Sequence, residues 1–240
     1  MNTTQKIIVP ISIIIAGGLI AAAIFATQSK PAAAPSVSNA LKSQKGANAP
    51  ITMAPVTSAD HIRGNKDAKI VIVDYSDTEC PFCKQFHTTL SRIFDEYSPS
   101  NKVAWVYRSF PLDIHKKSPH EAEALECANE LGGSEMFWKY TDLVYATTNS
   151  NDSLDPAQLP ILAEKVGMDV AKFNTCLNSG KYTAKVKASY DEARVAGGAG
   201  TPYTVLFING ENIPLVDDQG NGLGALPYSA LKSIIDQFSK

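Results

Sequence analysis

An uncharged apolar run, residues 7–26 (IIVPISIIIAGGLIAAAIFA), follows a single lysine, Lys6. It has the roughly 20 residues needed to cross a bilayer and exceeds the ~7–15 of a signal-peptide core. Residues 1–27 are therefore expected to form a single-pass signal anchor in the cell membrane. The basic end stays inside and the rest of the chain lies on the extracytoplasmic, periplasmic side. Small residues crowd positions 21–26, so cleavage and secretion is the alternative, although Ile24-Phe25-Ala26 is a poor cleavage site. Residues 28–58 are poor in large apolar side chains and rich in Ala, Ser, Pro, Asn and Lys. That composition predicts a flexible linker, with the folded part beginning near Ala59.

Within residues 59–240 the pattern alternates between strand and helix. Residues 69–75 (KIVIVDY) are a β-branched run suited to a central, doubly covered strand. Residues 81–97 place Phe82, Phe86, Leu90, Ile93, Phe94 and Tyr97 on one helical face. Residues 103–110 (VAWVYRSF) predict a second buried strand, completing a right-handed strand-helix-strand unit. Five helices are expected across a helical insertion at about 118–197. The first starts at Ser118-Pro119-His120-Glu121, read as a capping box, and stops at Gly132-Gly133. The others start at Ser134, Asp155-Pro156, Asp169 and Lys181. Strand 203–208 (YTVLFI), an Asn209-Gly210 hairpin turn, strand 213–216 and a helix at 228–238 complete an α/β layout.

Composition adds little to this picture: 44% apolar and 19% charged residues suit a globular protein. The net charge of −2, without a dense basic run, gives no nucleic-acid-binding face. The chemistry lies in Cys80-Pro81-Phe82-Cys83. Such a pair can close a small disulfide or bind a metal, and its placement favours redox work. Cys80 falls at the predicted helix cap with Pro81 at the first position, so free backbone N–H groups and the positive end of the dipole favour its thiolate. Its pKa is expected in the ~3.5–7.5 range of helix-start cysteines. Cys83, one turn on, shares the inward line with Phe86, His87 and Leu90. Cys80 is thus the expected nucleophile and Cys83 the resolving thiol of a redox-active pair. His87 is read as structural, and with no second half of a zinc motif, no metal is expected at Cys80, Cys83 and His87.

The segments Asp60-His61-Ile62-Arg63-Gly64-Asn65, Ile70-Val71-Ile72-Val73-Asp74-Tyr75-Ser76-Asp77 and Cys80-Pro81-Phe82-Cys83-Lys84 resemble the DsbA-like thiol-disulfide oxidoreductases of the thioredoxin superfamily. So do Phe110-Pro111-Leu112, Gly200-Thr201-Pro202 and Gly224-Ala225-Leu226-Pro227-Tyr228, in the family's order over residues 59–240. Members of that family are themselves among the cysteines that define the range quoted above. The resemblance implies a thioredoxin-like fold with an all-helical insertion. It makes Thr201-Pro202 a cis-proline loop beside the cysteines, able to bind a substrate strand with Pro81 and Phe82. It makes Asp74 a buried acid relaying a proton at Cys83, with a strand-end turn aspartate as the alternative. Phe82 adds no charge to the motif.

Outside the cytoplasm the remaining thiols, Cys127 and Cys176, are expected to form a structural disulfide, two separate buried cysteines being the alternative. Gly198 stands where similar proteins carry an apolar residue and is expected to loosen the Gly200-Thr201-Pro202 loop. The turn from Asp217 to Gly222 resembles a calcium loop without its final glutamate and is read as solvated. The implied activity is introduction of disulfides into reduced or misoxidised exported proteins. No cofactor is needed, and a quinone-linked membrane oxidase recharges the site. A reductase or isomerase on the same cysteines, or a non-redox periplasmic chaperone, are the alternatives. The short polar segment before residue 59 leaves no room for the dimerisation domain that isomerases carry.

Overall fold

The computed structural model describes residues 51–239. The predicted anchor and most of the predicted linker lie outside the described residues. Among the described residues, one sheet holds β1 (His61–Arg63), β2 (Ile70–Ser76), β3 (Val103–Ser109), β4 (Tyr203–Ile208) and β5 (Glu211–Pro214). Their spatial order is β1-β3-β2-β4-β5. β2 and β3 are parallel and joined by α1 (Pro81–Tyr97); the other pairings are antiparallel. The insertion comprises α2 (Ser118–Thr147), α3 (Gln158–Lys165), α4 (Val170–Asn178) and α5 (Thr183–Val195), and α6 (Tyr228–Phe238) closes the chain.

β2 is central because every one of its seven residues is buried, which its β-branched run can fill on both faces. Ile70 and Ile72 face a core shared with Trp105, Tyr107, Leu206, α1, α6 and helices α2 to α4. Val71, Val73 and Tyr75 face the opposite core, with Ala104, Val106, Val205, Ala193 and Met53. This arrangement is the α/β, thioredoxin-like layout with helices on both faces. A disulfide joins Cys127 of α2 to Cys176 of α4, 49 residues apart in sequence, holding the insertion together. A closure of that length stabilises by roughly 4 kcal/mol in the chain-entropy account.

Several local expectations are corrected. Residues 54–60 are docked rather than loose: Arg108, buried in β3, donates to Asp60 Oδ1 at 2.8 Å and to the carbonyls of Ala54 and Pro55. Met53 is buried as well, so packing extends ahead of residue 59. The expected break at Gly132-Gly133, by contrast, is present: Gly133 is non-helical (φ 66°, ψ −164°), and two helical halves of α2 meet there at a kink. The hairpin strand begins at once after Asn209 (φ 53°) and Gly210 (φ 85°), both left-handed as a two-residue turn of this hand requires. β5 therefore starts at Glu211 rather than 213. The capping box at α2 does not form, because Ser118 is already helical and Glu121 turns inward to another partner.

Gly198 does not loosen the proline loop. A Cβ there would lie 2.9 Å from the Ala193 carbonyl oxygen and 2.9 Å from Phe110 Cε1. Its carbonyl also accepts from Arg194 at 2.8 Å. Gly198 lets the end of α5 close directly onto the sheet. Gly198→Ala is expected to destabilise the protein by about 1–3 kcal/mol, measured as a lowered urea midpoint; an unchanged midpoint would contradict this packing.

Candidate active site

The strand-helix junction places the cysteines. After β2 the chain turns on a Cys80 N–H to Asp77 carbonyl bond of 3.1 Å and enters α1 with Cys80 extended (φ −81°, ψ 123°) and Pro81 first in the helix. Cys80 is only 4% exposed and Cys83 fully buried, while Pro81 and Phe82 are exposed, Phe82 by 61%. Both cysteines are free thiols, so the expected redox pair is described in its dithiol form.

Their electrostatics are opposite. The Cys83 thiol bonded to Cys80 pulls the Cys80 pKa down to about 6; burial works against it, and the Thr201 side chain and the Cys83 and Phe82 amides assist. Cys83 is driven well above the ordinary thiol range, first by burial and then by its bond to Cys80. One donor does aim at Cys83: the Asp77 amide, 3.4 Å from its Sγ. The peptide Thr201-Pro202 is cis, and the Thr201 carbonyl lies 3.5 Å from Cys80 Sγ. The chain thus brings Thr201 and Pro202 to the cysteines from 121 residues away.

Asp74 is buried in β2, in register with Tyr107 of β3 and Thr204 of β4. Burial pushes its pKa up to about 7 against a 2.8 Å bond from Ser76 Oγ. Its Oδ1 has no hydrogen-bond partner, nor has the buried hydroxyl of Thr204 beside it. An acid in that condition can hold or release a proton near neutral pH. His87 points elsewhere: its Nε2 meets Asp142 Oδ1 at 2.8 Å and its ring stacks on Tyr145. Asp217 uses its carboxylate on the Gln219 and Asn221 amides of its own turn.

Sequence reasoning missed Asp77, Thr78 and Glu79, three consecutive buried polar residues directly before Cys80. Asp77 accepts from the Glu79 amide (2.8 Å), the Leu112 amide (2.7 Å) and His115 Nδ1 (2.8 Å). Thr78 donates to Glu121 Oε2 at 2.6 Å. Glu79 accepts from Thr148 Oγ1 (3.1 Å) and from the amides of Ser153 (3.2 Å) and Leu154 (3.0 Å). The available signal was an acid-Thr-acid run between a buried strand and a cysteine, which reads as an ordinary polar turn.

A family model described as Thioredoxin matches residues 56–237. Pseudomonas aeruginosa DsbA2 is 28% identical, with 76% of this chain aligned to 96% of that one at a TM-score of 0.59. BdbD from Bacillus subtilis, in its oxidised form, aligns over 80% of this chain and 99% of its own at a TM-score of 0.64; at 18% identity this is a likeness of fold. The Na(+)/H(+) antiporter NhaA 3 of Salinispora tropica is 34% identical over 160 residues, 66% of this chain. The match spans only 23% of the antiporter's length, and that name describes the whole antiporter.

A thiol held at about 6 rather than 9.0 is charged at neutral pH. Alkylation of reduced protein at Cys80 should therefore rise with pH around a midpoint of about 6 and be complete before ordinary thiols react. Thiolate absorbance should follow the same curve and vanish in Cys80→Ser. A midpoint near 9 would contradict the described geometry.

Proposed function

The chain belongs to the thioredoxin family, and we propose that this DsbA-like thiol-disulfide oxidoreductase introduces disulfides into exported proteins on the extracytoplasmic face of a membrane. The carrying observation is the asymmetry at the motif: Cys80 acidic at the helix start, Cys83 buried and held as a thiol. The uncharged run at 7–26 supports the location.

In the oxidised site a substrate thiolate attacks Cys80 Sγ. The Cys80–Cys83 bond breaks, its electron pair passes to Cys83, and Cys83 takes a proton. Asp74 is the group proposed to supply it, since burial keeps this acid protonated to about pH 7. A second substrate thiolate then attacks the substrate sulfur of the mixed disulfide, and Cys80 departs as a thiolate. A low-pKa thiol is the better leaving group, which favours release of oxidised product. The substrate has lost two electrons and the site holds a dithiol. A quinone-linked membrane oxidase is the proposed acceptor for those electrons.

Pro81, Phe82, Thr201 and Pro202 border the sulfur that forms the mixed disulfide and are the proposed substrate contacts. Cys80→Ser should abolish both oxidation of a reduced protein substrate and reduction of insulin. Cys83→Ser should accumulate mixed disulfides, visible as a mass increase removed by dithiothreitol. Full activity in Cys80→Ser would sink the proposal.

A further inference from the structure

Residues 148–154, between α2 and α3, wrap around one side chain. Ser150, Asn151 and Asp152 are consecutively left-handed (φ 67°, 56° and 61°), a run that non-glycine residues adopt only when the surroundings hold them. What holds them is Glu79. Its carboxylate takes the Thr148 hydroxyl and the Ser153 and Leu154 amides, and its carbonyl accepts from the Asn151 amide at 2.7 Å. Lys84 of α1 donates to the Thr148 carbonyl, and Asp152 caps the other side by accepting from the amides of Lys116 and Lys117. Asn149 and Asn151 are left exposed, their amide groups of the kind that pairs with an extended peptide backbone. The loop is hydrogen-bonded to the residue that immediately precedes Cys80, through both its side chain and its carbonyl.

Glu79 is fully buried and has a second acid for a neighbour. Glu121, 2% exposed, spends Oε2 on Thr78, and its Oε1 has no hydrogen-bond partner. Two adjacent buried carboxylates cannot both be charged cheaply. Burial pushes Glu121 up to about 8; the Thr78 bond opposes this, and Glu79 and Asp77 add to it. Tyr140 in the second half of α2 also interacts with Glu121; His115 is spent on Asp77, and Lys84 on the Thr148 carbonyl.

We propose that Glu79 is a positioning residue for polypeptide substrates: its carboxylate is the template that folds loop 148–154 into one wall of the site, and Glu121, with one buried oxygen unpartnered, is the acid paired with it. This rests on Cys80 being the reacting sulfur, as proposed above. A Gln at 79 would turn an NH2 group toward the amides it should accept from, whereas a Gln at 121 reproduces a protonated acid.

The test compares the full-length wild type, Glu79→Gln and Glu121→Gln, each checked for folding by thermal melting. The rate of oxidising a reduced unfolded protein is divided by the rate of exchange with dithiothreitol, a dithiol too small to need the wall. The ratio should fall about tenfold in Glu79→Gln and stay within about twofold in Glu121→Gln. An unchanged ratio in Glu79→Gln, or equal falls in both, overturns the proposal. Should Glu79→Gln not fold, carbon NMR of the wild-type carboxyls decides. Glu121 is expected to titrate above pH 7, and titration in the ordinary carboxylate range overturns the pairing. Absence of dithiothreitol exchange in the wild type would instead refute the reading of Cys80, and the Glu121 titration still decides the acid pair.

Discussion

A sulfur that is almost fully buried and still carries charge must find compensation in the protein, because water no longer supplies it. Here the compensation is the start of α1. Cys80 stands at the N-cap position, Pro81 removes one N–H that would otherwise need a partner, and the Phe82 and Cys83 amides, with the Cys83 thiol, favour the charged sulfur. The rest of the molecule keeps that helix start in place: β2 delivers the chain to it, the Thr201-Pro202 loop covers it, and three polar side chains brace it from behind.

Those braces show how buried carboxylates are accommodated. Asp77 and Glu79 each have donors on both oxygens: Asp77 from the Glu79 amide of its own turn and from Leu112 and His115 after β3, Glu79 from the loop after α2. Asp74 and Glu121 each have one oxygen without a partner, and both have pKa values raised by burial. The fold thus separates acids whose two oxygens both have donors from acids left with one buried oxygen unpartnered. A proton-holding acid under the motif suits a reaction in which Cys83 alternates between bond and thiol. A buried acid just before Cys80 with donors on both oxygens suits the fixing of a wall.

What was legible in the sequence was local. β-branched runs announced β2 and β3, one apolar stripe announced α1, and a cysteine followed by proline announced the helix start. The family likeness then supplied Thr201-Pro202, which no local pattern ties to Cys80. Glu79 and Glu121 escaped because their partners lie 43 to 75 residues away, and each carried a plausible local meaning as a turn or capping residue. Arg108 escaped similarly: in a strand it reads as an edge or face residue, yet it gathers Asp60, Tyr75 and Glu192 and docks residues 54–60. Gly198 was misjudged because a missing side chain was read as slack, when Phe110 and Ala193 already occupy the space.

The direction of electron flow follows from how strongly the reduced site is stabilised, and the Cys80 thiolate is the stabilising feature. The reduction potential of the Cys80–Cys83 couple, measured by equilibration with glutathione, tests this most directly. A stabilised Cys80 thiolate predicts a value well above that of thioredoxin, about −270 mV, toward the about −120 mV of strong disulfide donors. A potential at or below about −270 mV would mean that the helix start does not favour the thiolate enough to drive oxidation, and would contradict the account.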